Sequence, residues 1–418
     1  MIANKAPTGN AATIPMITVS EAIHIITEKT PRLLTEDVDL DCALGRFLAE
    51  DVVADSDLPP FDRAQMDGYA VRAKDLEAVP ARLRVVGESA AGRGWHNEMR
   101  AGEAVRIMTG APVPKGADSV QQVEVTHELD GGAAVDILQP IAQGRSIVTR
   151  GSEIKAGEKV LRAGEQVNAA MMAVLASFGY AQVKVGKRPR VAVLATGSEL
   201  VAVDQRPGQD QIRDSNNYSI GSYATLAGAI VERTPLAGDD TSLLKQQISE
   251  LSEHSDVVVT SGGVSMGVYD FTKTALKKLA AEIFFERVSL RPGKPTVFAR
   301  LPNGTLVFGL PGNPVSVSVT FNLFARAAML AMQGASSPNM EEHWAVLDRS
   351  VKGTVDRESY LPARLRTNEE GMLLVEPLKW GGSSDFVAFA RATALIVVPA
   401  GAKLIEIGKS VRILRLPQ

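Results

Sequence analysis

The chain reads as a multidomain α/β plus β protein, and three observations predict that class. Its 418 residues allow roughly three domains at about 150 residues each. Residues 57–154 are cut by frequent Gly and Pro between short apolar alternations, the texture of a β-rich module. Residues 191–331 instead alternate short apolar strands with helix-like stretches, the texture of an α/β domain. An apolar share of 45% supplies several packed cores, which excludes a wholly disordered chain.

The elements follow in order. The first fifteen residues, rich in Ala, Asn, Thr and Pro, read as a mobile tail. Thr18-Val-Ser-Glu21 is a capping-box pattern opening a helix to about Lys29, which Pro31 ends. Alternating segments at 82–86, 104–108 and 134–138 are the strands of the β-rich module. Residues 168–178 form a helix with an Asn cap and Gly179 as its stop, followed by a strand at 182–185. The basic stretch 186–190 is a linker. Beyond it, strands are expected at 191–195, 229–234, 257–260, 283–288, 296–299 and 306–310, and helices at 218–226, 241–251, 271–279 and 315–331. Such alternation means a mostly parallel sheet covered on both faces, with ligands at the carboxyl edge of its strands. After residue 338 the texture returns to strands, notably 394–398 and 410–416, without a helical period, so the last part is a small β domain.

Composition narrows the function. The 45 Lys and Arg against 48 Asp and Glu leave a net charge of −3 with both signs interspersed, so no whole-molecule basic field holds a nucleic-acid backbone. No run approaches 18 uninterrupted apolar residues, and the N-terminus lacks the apolar core of a signal peptide; a cytoplasmic chain without a membrane partner is expected. Cys42 is the only cysteine, and His24, His96, His127, His254 and His343 are scattered singly. Any metal is therefore oxygen-bound.

Chemistry concentrates at the strand ends. In Asp256-Val-Val-Val-Thr-Ser-Gly-Gly-Val-Ser-Met-Gly-Val-Tyr-Asp-Phe271 a β-branched strand runs into a Ser/Gly loop and then a helix. Glycines let backbone amides approach an anion, and the helix N-terminus adds partial positive charge, so phosphate suits the loop. It lacks the Gly-Lys-Ser/Thr of a Walker loop and the glycine spacing of a dinucleotide fingerprint. The plainer reading is a tight turn with Asp270 as an N-cap. Two further strand ends carry acids: Glu199 in Leu194-Ala-Thr-Gly-Ser-Glu-Leu200, and Asp239 or Asp240 in Leu236-Ala-Gly-Asp-Asp-Thr241. On one sheet edge these acids would repel an anionic ligand unless a hard divalent cation lay between, and magnesium prefers a few carboxylates plus phosphate oxygens. Helix capping accounts for each acid taken singly. Arg291 and Lys294 flank a Pro-Gly turn, and Gly309-Leu-Pro-Gly-Asn-Pro-Val315 forms a second constrained turn; both suit anion binding.

Six ordered motifs together resemble one family: P-P-F-D-x-x-x-M-D-G-Y-A (59–70), R-I-M-T-G-A-P-V-P-x-G-A-D (106–118), T-G-S-E-L (196–200), S-G-G-V-S-M-G-x-x-D (261–270), R-P-G-K-P (291–295) and G-L-P-G-N-P-V-S (309–316). They are similar to the molybdopterin molybdotransferases, bacterial molybdenum-insertion enzymes related to the E domain of gephyrin, over about residues 18–416. The resemblance implies the last step of molybdenum cofactor synthesis, in which adenylylated molybdopterin and molybdate yield Mo-molybdopterin and AMP. It also implies an elongated chain: a three-layer α/β domain (186–334), a β-rich module (56–153) inserted into a small split α/β domain (33–55 and 154–185), and a C-terminal β domain (335–418). A homodimer follows from it, with the cleft shared between the α/β domain of one subunit and the β-rich module of the other. The expected protein partners are the molybdopterin adenylyltransferase and the acceptor molybdoenzymes.

Carried over by position, the resemblance assigns catalytic roles to Asp67, Thr109, Glu153, Glu199, Asp239 and Asp270, with Glu199, Asp239 and Asp270 holding Mg2+; Asp239 is preferred to Asp240 by spacing. Binding of the pterin substrate falls to Ser261, Gly262, Gly263, Ser265, Pro311, Gly312 and Asn313, together with the basic Arg287, Arg291 and Lys294 near molybdate or the pterin's phosphate. Arg287 and Arg291 stand where relatives also carry lysine, which changes the available bidentate contacts. The resemblance makes the dithiolene sulfurs of the pterin, not Cys42, the captors of molybdenum. Two rivals remain: an adenylyltransferase acting on molybdopterin with ATP, and a non-catalytic gephyrin-like scaffold. The β-rich module and β tail speak against the first, the kept acids against the second.

Overall fold

A computed structural model describes residues 15–234, 240–264 and 270–417. It divides into two compact units, Glu50–Arg162 with Ala169–Gln182, and Met1–Ala49 with Ala163–Asn168 and Val183–Gln418, a coarser division than the parts implied by the resemblance. The expected tail lies almost wholly outside the described residues.

Helix α1 (Val19–Lys29) forms as its cap dictates: the Glu21 amide donates to Thr18 Oγ1 at 3.2 Å and the Thr18 amide to Glu21 Oε2 at 2.7 Å. Its buried face is Val19, Ala22 and Ile26.

The unit containing 50–162 is built on a six-stranded sheet. Its strands are β1 (Gly68–Val71), β2 (Ala81–Ser89), β3 (Glu103–Ile107), β4 (Ser119–Gln122), β5 (Thr126–Leu129) and β6 (Ala134–Ile137), in the order β4-β1-β3-β2-β6-β5. Only β2 and β3 run parallel. Two apolar clusters cover the sheet, one on Ala70, Val105, Ile107 and Val120, the other on Tyr69, Val71, Val135 and Ile137. The alternation within β1 sends Tyr69 and Ala70 to opposite clusters. Gly68 is forced: a Cβ there would sit 1.9 Å from the Gln121 carbonyl oxygen. Helix α2 (Ala169–Ser177) belongs to the same unit.

The other unit carries the strand and helix alternation. In chain order it contains β7 (Arg190–Ala195), α3 (Asn216–Leu226), β8 (Ile230–Arg233), α4 (Thr241–Ser252), β9 (Val257–Ser261), α5 (Phe271–Lys278), β10 (Glu282–Phe285), β11 (Val297–Arg300), β12 (Leu306–Leu310) and α6 (Pro314–Met332). The sheet order is β8-β7-β9-β12-β11-β10, and β11 alone runs against the other five strands. Successive strand residues alternate faces: Val191, Val193, Val257 and Val259 pack with α1, α3 and α6, while Ala192, Leu194, Val258 and Val307 pack with α4 and α5. Two covered faces make three layers. The strand expected at 283–288 stops at Phe285, and α6 contains a π-helical turn at Phe321–Ala325. Helix α6 is long and apolar enough to cross a membrane, but 89% of its most apolar window is buried inside the unit, so it is the core helix of the sheet's covered face.

The tail is a β structure of β13 (Glu342–Leu347), β14 (Glu358–Thr367), β15 (Leu373–Pro377), β16 (Ala394–Val398) and β17 (Ser410–Arg415). Pairing of β14 with both β15 and β16 closes the sheet on itself, which removes its open edges. One correction applies: α7 (Phe386–Phe389), capped by Asp385, interrupts the strands; four residues are too few for a helical period to show.

Candidate active site

Strands β7, β9 and β12 are neighbours in one parallel register, so their carboxyl ends lie side by side. From them emerge Thr196-Gly197, Gly262-Gly263 and Pro311-Gly312-Asn313. These turns wall a cavity of about 980 Å³ that also takes in Glu199, Asn216, Phe271 and Phe386. Gly262 has φ +90°, and a Cβ there would lie 2.4 Å from the Thr196 carbonyl oxygen, so only glycine lets the two turns approach this closely. The loop is then locked: Gly262 N–H donates to Leu310 O at 3.1 Å, Thr196 N–H to Ser261 O at 2.9 Å and Thr272 N–H to Gly263 O at 3.1 Å.

Polar side chains staple the turns. Asn216 Nδ2 donates to Ser261 Oγ at 2.8 Å and to the Gly312 carbonyl at 2.7 Å. Asn313 Nδ2 donates to Ser383 Oγ at 2.9 Å, and the Val315 amide donates to the Ser383 carbonyl at 3.0 Å. The closed β sheet thereby brings Ser384 and Phe386 to the cavity wall.

The expected acids differ in setting. Glu199 is exposed and lines the cavity. Asp240 caps α4, its Oδ1 accepting from the amides of Ser242 at 2.7 Å and Leu243 at 2.8 Å. Asp239 and Ser265 lie outside the described residues. Asp270 accepts the Lys273 amide at 3.2 Å as N-cap of α5, and its Oδ2 meets Lys273 Nζ at 3.0 Å. The same ammonium lies 3.2 Å from Glu286. Burial opposes the Lys273 charge, but its bonds to Asp270 and Glu286 outweigh this and raise its pKa. Among the described residues no group of three or more acids, histidines or cysteines could hold a metal.

Around the R-P-G-K-P turn, Leu290–Arg291 pairs with the first residues of β14. Arg291 is exposed, Arg287 and Lys294 are half-buried, and Pro295 of the same turn lines the cavity whereas these three do not. In the other unit Asp67 and Thr109 are brought together: Asp67 Oδ1 accepts the Thr109 amide at 2.7 Å and its hydroxyl at 2.8 Å. Those two bonds hold the exposed Asp67 carboxyl below the usual carboxylate range. Glu153 pairs with Arg63 at 3.1 Å.

Sequence reasoning missed Asn216, Lys273, Glu286, Ser383 and Phe386. An Asn at the start of a helix right after a carboxylate and Ser is ordinary capping chemistry, and nothing local marks it as a tie between two distant turns. The Lys273 link had one available signal, the i, i+3 spacing from Asp270 on the same helix.

Comparison with known proteins converges on one answer. Residues 17–179 match the MoeA N-terminal region (domains I and II), residues 192–331 a probable molybdopterin binding domain, and residues 345–416 the MoeA C-terminal region (domain IV). The chain is 35% identical over 402 residues to a molybdopterin molybdenumtransferase of Staphylococcus aureus, covering 95% of both. It is 36% identical over 422 residues to one of Nostoc, covering 96% of this chain and 94% of that one. The crystal structure of a molybdopterin biosynthesis MoeA protein from Pyrococcus horikoshii OT3 superposes with a TM-score of 0.82 at 28% identity, covering 96% of this chain and 100% of that one. With kinship over 95% of both partners and three regions matched in the same order, the chain belongs to the molybdopterin molybdenumtransferase family.

Proposed function

We propose that this transferase moves molybdenum from molybdate into adenylylated molybdopterin with release of AMP, the last step of molybdenum cofactor biosynthesis. The family supplies the molybdenum-transfer activity; the observation that carries the finer reading is the cavity walled by three strand-end turns, with the Ser-Gly-Gly loop and Glu199 in its lining. A cavity of about 980 Å³ suits a nucleotide-sized substrate.

In this reading the Ser261-Gly262-Gly263 loop and the Pro311-Gly312-Asn313 turn seat the pterin phosphates, and Arg287, Arg291 and Lys294 draw in the molybdate dianion. The phosphate-bearing substrate is itself anionic, so acids on the rim need a mediating cation. The donor set assigned by the resemblance, Glu199, Asp239 and Asp270, is all oxygen, which suits magnesium; Lys273 Nζ, 3.0 Å from Asp270 Oδ2, is a resident cation that magnesium would have to displace. Bound magnesium would neutralise charge developing on the departing AMP. No protein nucleophile is required, and the exposed Cys42 takes no part. Asp67, Thr109 and Glu153 act from the second subunit of a homodimer; their exposure in their own unit supports that placement. The adenylyltransferase upstream and acceptor molybdoenzymes downstream are the protein partners, and the cytoplasm is the compartment. The finer partition, a split domain of 33–55 and 154–185 around the inserted module, belongs to the same reading.

The test is AMP release from adenylylated molybdopterin with molybdate. Release that depends on added divalent cation and is lost in Asp270→Ala supports the proposal. Full-rate release with all divalent ions stripped overturns it, and net adenylylation of molybdopterin by ATP without molybdate would assign the adenylyltransferase step instead.

A further inference from the structure

Lys273 stands between two carboxylates placed in different settings. Its Nζ lies 3.0 Å from Asp270 Oδ2 and 3.2 Å from Glu286 Oε2, and the side chains of Lys273, Asp270 and Glu286 are only 22%, 15% and 9% exposed. Asp270 is fixed from the other side, because its Oδ1 accepts the Lys273 amide at the start of α5. Glu286 comes from elsewhere, immediately after the edge strand β10. One ammonium thus serves two carboxylates in a setting where an unpaired charge is costly. A divalent cation arriving at Asp270 meets that ammonium as a like charge at contact distance and must displace it. Displacement into solvent would strand Glu286 unpaired; displacement onto Glu286 keeps every charge matched.

We propose that Lys273 is a built-in counter-ion that holds Asp270 while the metal is away and retreats onto Glu286 when it binds, which makes Glu286 a positioning residue for the reaction. The inference rests on the reading of Asp270 as a metal ligand. It gives substitutions at the two partners opposite signs. In Glu286→Gln, Lys273 has no second anion and competes harder for Asp270, so metal affinity falls several-fold. In Lys273→Met the competitor is gone, so affinity rises several-fold. In the double variant the Glu286→Gln penalty vanishes, because it acts only through Lys273.

The experiment is titration of the full-length protein with Mn2+ in the presence of saturating AMP, followed by electron paramagnetic resonance, which reads binding without turnover. Thermal unfolding of each variant verifies that it is folded. Opposite signs in the single variants together with a non-additive double variant support the exchange. Loss of affinity in both single variants, or an additive double variant, overturns it while leaving Asp270 as a ligand, since Asp270→Ala would still abolish binding. If the wild type binds no Mn2+, or Asp270→Ala binds as well as the wild type, the metal-ligand reading falls and takes this inference with it.

Discussion

In the unit built on 50–162, Asp67 stands exposed with one oxygen fixed by the amide and hydroxyl of Thr109; in the α/β unit, Asp270 is largely buried, caps a helix and shares an ammonium with Glu286. Among the described residues the first carboxylate has hydrogen bonds but no ion pair. The second is neutralised in advance. Orientation by hydrogen bonds leaves an anion free to act on what arrives, whereas a pre-paired anion acts only after an exchange of cations. If the proposed function holds, the two settings assign positioning to Asp67 and cation capture to Asp270.

Replacing each acid tests that division most sharply. Asp270→Ala should lower the rate of cofactor formation by about 100-fold or more, the usual cost of losing a principal charge stabiliser, while the lost helix cap costs about 1 kcal/mol of stability. Asp67→Asn, which keeps shape and the acceptor oxygen, should cost less; equal losses measured by AMP release would abolish the distinction. The forced glycines come next. Gly68→Ala drives a Cβ into a strand carbonyl at 1.9 Å, and Gly262→Ala meets the Thr196 carbonyl at 2.4 Å at φ +90°. Denaturant unfolding should show about 2–3 kcal/mol or more for either, but only Gly262→Ala should weaken AMP binding by calorimetry.

A pH series separates the carboxylates further. Asp67 has its pKa lowered by the Thr109 amide first and the hydroxyl second. A depressed folded pKa contributes stability that is present above the unfolded value and lost as pH falls through the folded one. Thr109→Val removes the hydroxyl bond and keeps the amide bond, so the carboxyl rises part of the way back to its ordinary range. Carboxyl NMR should follow that rise, and the acid limb of the pH-rate profile should move to higher pH with it. The smallest effect is expected at Asn216→Ala, which unties Ser261 from Gly312 at a cost of about 1–2 kcal/mol for two hydrogen bonds; a raised KM with little change in kcat would be the mark of a turn that positions substrate.

Most elements were legible because their causes are local. Thr18 and Glu21 announce α1, Gly179 ends α2, and the β-branched run at Val257 and the apolar run at Leu306 become strands buried on both sides. The turns of the cavity were legible as glycine and proline punctuation at strand ends, and the parallel alternation placed them on one edge. The ties across that edge were not. Asn216 joins residues 45 and 96 positions away, Asn313 reaches Ser383, and Lys273 reaches past its own helix to Glu286; any such polar residue is equally at home on a solvated surface. The short helix Phe386–Phe389 is too brief to show a period, and the strand expected at 283–288 ends three residues sooner, at Phe285, where the consecutive charges of Glu286 and Arg287 break the apolar run.

By itself the sequence determined the kinds and order of the layers and the backbone shapes of the turns, because strand and helix periods, caps and positive-φ glycines act over a few neighbouring residues. Which acid stands bare and which carries a lysine was decided only by the tertiary structure. Charge pairing depends on distance through space and on how far water is excluded, and both are set when β10, α5 and the rest of the sheet close together.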